Sequence, residues 1–599
     1  MSSDPAAGRA SEIERALMEG LSPERLWDHA KTLAQWEKVS GTPGERSAVD
    51  YLRGQLEGFG LRAEEEQFES LLGWPEEASL ETVSPTQARF EALTNGFVPS
   101  TPEAGVEGEV VYAGDGTPEA LRPARGRIAL LEGMPSPLKV LRGGQAGAIG
   151  LVFVQESHLH NMCVSPVWGT PTPGTAGLLA TIPAVSVRRD DGERLKELAA
   201  AGGLRLRLRT KTFWGWRTTP LVTAQIDAPT GSAEFVLLSG HHCSWHLGAM
   251  DNGTANATIL EVARVLAEHR DALRCNVRIA FWPGHTQGRY SGSAWYFDQH
   301  WEDLYDNCVL HVNCDSTGAR GAVHYRAIAM PETEDFAVAA IGDAIGVTAE
   351  PERQSRAGDQ SFWSTGTPSI FMSLSLVPGE QAASQPAGLF SGGDASTTRR
   401  PGLPWWWHTP EDTIDKVDPD VLLRDTRVYL LATLRAAAAP VLPFRYRPAA
   451  RTIRETIERY QEPVAGRFDL GPALRRAHSV ELAAATLDGA LDRLGDGSRL
   501  AADARDRINR LLHELDRELV LVAFTAAGPY DQDLALPIPA VPLLAPAGDL
   551  ATLDEDSGEA RYLATDLVRR RNKAAHHLRL AEAAAEQAIQ AVTATPPWR

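Results

Sequence analysis

Three segments of this 599-residue chain release imidazoles and carboxylates from the ends of apolar runs. EFVLLSG leads directly into HHCSWHLGAMDNGTAN, which carries His241, Cys243 and Asp251. CVLHVNCDSTG ends an apolar run at Asp315, and the tryptophan-rich PWWWHTPEDT delivers His408. Imidazole nitrogens and carboxylate oxygens converging from separate strand ends suit a borderline-soft divalent cation, and a shared carboxylate can bridge two ions. This donor mixture puts zinc first, with manganese, iron or nickel also compatible. Trp405, Trp406 and Trp407 are expected to wall a cleft beside His408, where aromatic faces also bind apolar or cationic groups.

The elements needed to position these groups can be read from periodicity. ERLWDHAKTLAQW and AVDYLRGQLEGFG have helical spacing around the turn SGTPGE. After about residue 85, short strands such as GEVVYAG, GRIALLEG and AIGLVFVQ alternate with glycine and proline, predicting a small β-rich insert. From about residue 218, EFVLLSG, NVRIAFWP, CVLHVNCD and SIFMSLSL alternate with the helical stretches ATILEVARVLAEH and EDFAVAAIGDAIG. That alternation predicts an α/β mixed sheet flanked by helices, whose strand ends are the usual place for ligands. Beyond about residue 440 only amphipathic helices follow. The expected boundaries are 10–84 and 218–440 for the two parts of the α/β domain, 85–217 for the insert and 441–599 for a helical domain.

Composition narrows the partners. A formal charge of −19 disfavours nucleic-acid backbones and anionic membranes. The first twenty residues lack a signal-peptide pattern, and no run is apolar for long enough to span a bilayer, so a cytoplasmic protein is expected. Five cysteines, odd in number and without paired ligand spacing, read as reduced thiols.

With these residues in view, the chain resembles the family of co-catalytic zinc aminopeptidases, glutamate carboxypeptidases, glutaminyl cyclases and transferrin receptors. SGTPGERSAVDYLRGQLEGFGL resembles the family's N-terminal helix pair, SGHHCSW with GAMDNGTANATILEVARVL its His-x-Asp and Asp-Asn segments, and HTPEDTIDKVD its last histidine segment. GRIALLEG, GGQAGAIGLVFV and IPAVSVRRDDGERL resemble the protease-associated domain that many members carry as an insert. The resemblance implies that His241 and Asp315 bind one metal, that Asp251 bridges, and that His408 binds a second metal. It also implies a homodimer through the C-terminal helices and a small-molecule or short-peptide substrate.

The departures from the family pattern are informative. Its paired glutamates, one a general base and one a metal ligand, should fall in FWPGHTQGRYSGSAWY, which contains none. One alignment puts His285 at the base and Thr286 at the ligand; another puts Thr286 and Gln287 there, and the first keeps Gln287 and Gly288 in register. The aspartate expected two positions after His241 is Cys243, either a small buried filler or a site thiol. A threonine hydroxyl is a poor substitute for a carboxylate, so the centre is expected to be mononuclear. Two sets stay open: His241, Asp251 and Asp315, with His285 free as general base, or Asp251, His285 and His408 as a two-histidine, one-carboxylate site. In the insert, His158 and His160 of ESHLHNMC are candidate substrate contacts alongside Trp407, and Arg399 and Arg400 candidate carboxylate attractors. The expected function is metal-dependent hydrolysis of a C–N bond, aminopeptidase- or amidase-like. Alternatives are a non-catalytic binding or scaffold dimer, as in transferrin receptors, and a mononuclear enzyme of non-hydrolytic, cyclase-like chemistry.

Overall fold

The computed structural model describes residues 5–383 and 400–594, with side chains from residue 12 onward. Arg399 therefore lies outside the described residues. Thirteen strands are found among these residues: β1 Ala63–Ser84, β2 Ala88–Phe90, β3 Val106–Tyr112, β4 Ile128–Glu132, β5 Gly150–Val154, β6 Ala184–Val187, β7 Arg205–Ile226, β8 Phe235–His241, β9 Asn276–Trp282, β10 Cys308–Asn313, β11 His324–Ala329, β12 Glu350–Arg353 and β13 Ser369–Leu376.

The order β12-β11-β13-β10-β8-β9-β7 forms the larger, mixed sheet. Its centre is parallel: β8 pairs with β10 on one side and β9 on the other. All seven residues of β8 and all six of β10 are buried, because helices cover both faces of a parallel sheet and leave no polar-out alternation. The helix Ala255–Glu268 is buried at every position from Ala255 to Ala267, packing between the sheet and the helices Pro23–Leu33 and Pro419–Ala438.

β1 and β7 differ from the expected boundaries. They pair antiparallel along almost their whole length, from Ala63 opposite Ala224 to Ser84 opposite Arg205. The far end of β7 pairs with β9 in the large sheet, while its beginning pairs with β3, opening the small sheet β3-β4-β5-β6. A cut at residue 218 therefore passes through a continuous strand. The reason is charge pairing: Arg207 bonds Glu81 and Glu107 on the neighbouring strands, and Arg46 of the helix Pro43–Gly58 bonds Glu65, so charged residues stand where an apolar alternation would have marked the strands.

After the helix Pro419–Ala438, the helices Arg447–Gln461, Gly471–Leu494, Ala502–Phe524 and Gly558–Thr593 pack together, in one core with the large sheet's helical layer through residues such as Phe336 and Phe444. Among the described residues no helix is long and apolar enough to cross a membrane. All five cysteines are buried and unpaired.

Candidate metal centre

Because β8, β9 and β10 are neighbours and parallel, their carboxyl ends open side by side at the point where the chain turns from one flank of β8 to the other. Such switch points leave a crevice at the sheet edge. Here the ends supply His241 from β8, His285 and Thr286 just after β9, and Asp315 just after β10.

Asp251 enters from an irregular turn, Ala249–Thr254, that leads into the buried helix. Two locks hold it. The Met250 and Asp251 N–H groups donate to the Asp412 carboxylate at 2.9 and 3.0 Å, tying this turn to the loop that carries His408. Burial, opposed by these two donors, pushes the Asp412 pKa up to about 7. Asn252 donates to the carbonyls of His241 and Cys314 and accepts the Ser316 N–H, joining the ends of β8 and β10.

The two oxygens of Asp251 face different partners. Oδ1 lies 3.1 Å from His241 Nε2, which is also 3.6 Å from Asp315 Oδ2. Oδ2 lies 3.1 Å from His408 Nε2. His241 Nδ1 is 2.8 Å from the Cys243 carbonyl, which can only accept, so the proton sits on Nδ1 and the Nε2 lone pair faces the carboxylates. Neither His241 Nε2 nor Asp251 Oδ1 has a hydrogen bond, although both are buried. Burial resists charge on His241, but Asp315 and Asp251 outweigh it and raise its pKa well above the ordinary value. For Asp251 burial again acts first, and the two histidines outweigh it, holding its pKa well below the carboxylate range. The point between them calls for positive charge, and among the described residues the possible ligand atoms that all lie within 4.8 Å of one another are those of His241, His285 and Asp315, with Asp251 Oδ1 beside His241, a mixture of imidazole and carboxylate that suits a divalent cation. Among the described residues, the far side of Asp251 offers His408 alone.

His408 has a left-handed backbone, φ 60°. It is held by a reciprocal pair with the small-sheet region: its Nδ1 donates to the Asn161 carbonyl at 2.7 Å, and its own carbonyl accepts the Asn161 N–H at 3.0 Å. The Trp407 ring stacks on it at 3.5 Å.

His285 stacks on His241, with ring centres 3.8 Å apart and planes 15° from parallel. Two parallel, stacked imidazoles do not aim their in-plane lone pairs at a common point, although a ligand atom of His285 comes within 4.8 Å of those of His241 and Asp315. Its Nδ1 is 2.8 Å from Asp359 Oδ2, so the carboxylate takes the Nδ1 proton's bond and leaves Nε2 as acceptor. Asp359 is buried, accepts Ser293 Oγ at 2.8 Å, and is held below its usual pKa by His285 against the opposing effect of burial. A Ser293–Ser361–Trp168 chain of hydrogen bonds, each 2.8 Å long, supports it.

The pair His285 and Thr286 lines the cleft. Gln287 does not: its amide donates to the Ser244 carbonyl and accepts the Ser40 N–H behind the site. Cys243 is fully buried; its thiol accepts the Thr286 N–H at 3.4 Å and lies 3.5 Å from Thr286 Oγ1. Trp407, Trp245, Met162 and Tyr290 form apolar parts of the cleft wall. His158 and His160 do not line it, contrary to expectation. His160 is buried with Nδ1 against the Trp407 carbonyl, and burial lowers its pKa to about 4; His158 stacks on Trp405 at 4.2 Å. Both brace the tryptophan loop from behind. Asp359 had no recognisable mark in the sequence, and Asp412 and Asn161, although inside HTPEDTIDKVD and ESHLHNMC, were not singled out there.

Residues 222–433 match the model of peptidase family M28. Leucine aminopeptidase 2 of Trichophyton equinum is 25% identical over 305 residues, 49% of this chain and 58% of that protein. The probable glutamate carboxypeptidase VP8 of Zea mays is 24% identical over 500 residues, 72% of this chain and 68% of that protein. Among solved structures, an aminopeptidase from Aneurinibacillus sp. strain AM-1 superposes with a TM-score of 0.54 at 20% identity, covering 71% of this chain and 96% of that one. A peptidase M28 precursor from Shewanella amazonensis gives 0.55 at 18% identity, covering 72% and 98%. The chain spans 58% of the length of the fungal relative, and the structural likeness concerns the fold. The mixed α/β sheet and the matched segment agree: over residues 222–433 this chain is similar to peptidase family M28.

Proposed function

We propose that the protein is a metal-dependent peptidase or amidase that hydrolyses a C–N bond of a short peptide or amino-acid-like substrate at a mononuclear centre. The observation that carries this reading is the divided environment of Asp251: one oxygen faces His241, which Asp315 also approaches, and the other faces, among the described residues, His408 alone. His241, Asp251 and Asp315 would hold the cation, zinc first by donor type. Such an ion supplies Lewis acidity to a polarised carbonyl and a water.

His285 does the proton work in this account. With Nδ1 committed to Asp359, Nε2 accepts a proton from the attacking water and returns it to the leaving nitrogen as the C–N bond breaks. Asp359 orients the ring and stabilises the imidazolium that forms in between. Trp407 and Trp245 supply apolar walls that exclude bulk water and receive the substrate's side chain. The names of the relatives, aminopeptidase and glutamate carboxypeptidase, support a peptide substrate.

A non-catalytic binding protein is the second reading, favoured by the absence of both glutamates from the His285–Thr286 segment. The two part on one experiment: metal-loaded and chelator-treated protein assayed on a panel of dipeptides, aminoacyl amides and acylated amino acids. Hydrolysis that disappears with the metal supports the proposal. Binding of panel members without turnover by the loaded protein contradicts it.

A further inference from the structure

Beyond His285 the chain makes two successive left-handed residues, Arg289 at φ 50° and Tyr290 at φ 69°, before the helix Ser291–Gln299. Neither is glycine, so the backbone holds an unfavourable conformation at both. The consequence is that both side chains line the cleft with His285 and Asp315.

Arg289 is poorly satisfied there. Its Nε is buried without a hydrogen-bond partner, and its guanidinium makes one long bond, 3.4 Å, to the Ala535 carbonyl from the C-terminal region. It otherwise rests over the Tyr290 ring at 4.9 Å. Among the described residues no carboxylate lies within 4.0 Å of it, whereas Arg326, the other guanidinium of the cleft, has Glu352 at 3.5 Å. A half-buried guanidinium with a free edge is matched best by a planar carboxylate, which accepts two parallel bonds.

Its place relative to the chemistry assigns a side of the substrate. Tyr290 packs edge-on against His285 at 4.8 Å while carrying Arg289 on its ring, so one aromatic ring separates the guanidinium from the proton-carrying imidazole. The group nearest His285 late in the reaction is the leaving nitrogen. We propose that Arg289 binds a free carboxylate on the leaving-group side, making the preferred substrates short peptides or acylated amino acids with an unblocked carboxyl terminus. This rests on the hydrolase reading for its direction, and on Arg289 alone for the carboxylate.

The test compares matched dipeptides ending in a free carboxylate or a carboxamide. Wild-type protein should favour the acid by about 10- to 100-fold in kcat/KM, mainly through KM. Arg289→Met should bring the ratio near one, and Arg289→Lys, which keeps the charge without the fork, should restore part of it. Equal use of acid and amide by the wild type, or an undiminished preference in Arg289→Met, would overturn the proposal. Calorimetric binding of the same two ligands separates it from the hydrolase reading. Should neither ligand be turned over, tighter wild-type binding of the acid, lost in Arg289→Met, still supports the Arg289 site; equal binding of both by the wild type refutes it.

Discussion

The two oxygens of Asp251 look out on unequal halves of one site. On the Oδ1 side stand His241 and Asp315, with Nε2 of His241 stripped of any hydrogen bond. On the Oδ2 side stands His408, and the residue nearest in sequence to a missing ligand is Thr286, whose backbone and hydroxyl both engage the Cys243 sulfur. On the proposed mononuclear reading, a bridging geometry outlasts one of the ions it suits. The Asp251 turn is held by Asp412 and Asn252, and His408 by Asn161, so both remain in place for reasons of packing. Retained geometry on the second side is therefore no measure of retained metal affinity.

Substitutions can break this contrast in graded steps. His241→Ala should remove the metal and reduce hydrolysis to background, a larger loss than the roughly 100-fold attached to outer partners of a metal site; elemental analysis beside a peptide assay reads both. His285→Ala should leave metal content unchanged and lower kcat by about 10²- to 10⁴-fold, the usual range for a proton-transfer group. Loss of metal in that variant would instead make His285 a ligand. Asp359→Asn, which replaces the charged acceptor of His285 Nδ1–H with a neutral amide, should cost about 10- to 100-fold in kcat with metal retained. The smallest effect belongs to His408→Ala: if the Oδ2 side holds no ion of its own, metal affinity measured by competition with a chromophoric chelator should change by less than about tenfold. An effect matching that of His241→Ala would erase the difference between the halves.

Much of the frame was legible because its signals are local. EFVLLSG, NVRIAFWP and CVLHVNCD are continuous apolar runs, and the site residues follow them within a few positions, so strand and site could be read together. The long ribbon of β1 and β7 was hidden by its own stabilising pairs, in which glutamate and arginine replace the apolar alternation. Asp359 was hidden for a different reason. It lies in SRAGDQSF, a loop with no periodicity, and reaches His285 only because β12, β11, β13 and β10 pair in one order and bring that loop over the end of β9. The same holds for His160, whose spacing in ESHLHNMC suggested a ligand contact, while its burial against the Trp407 carbonyl depends on how the small sheet docks.

Crystals equilibrated with zinc and measured on both sides of its absorption edge test the central claim most directly. The account predicts one anomalous peak per chain, bounded by His241, Asp251 and Asp315, with His285 beside it and bonded to Asp359. Two peaks of comparable height across Asp251, or a single peak on the His408 side, would contradict it.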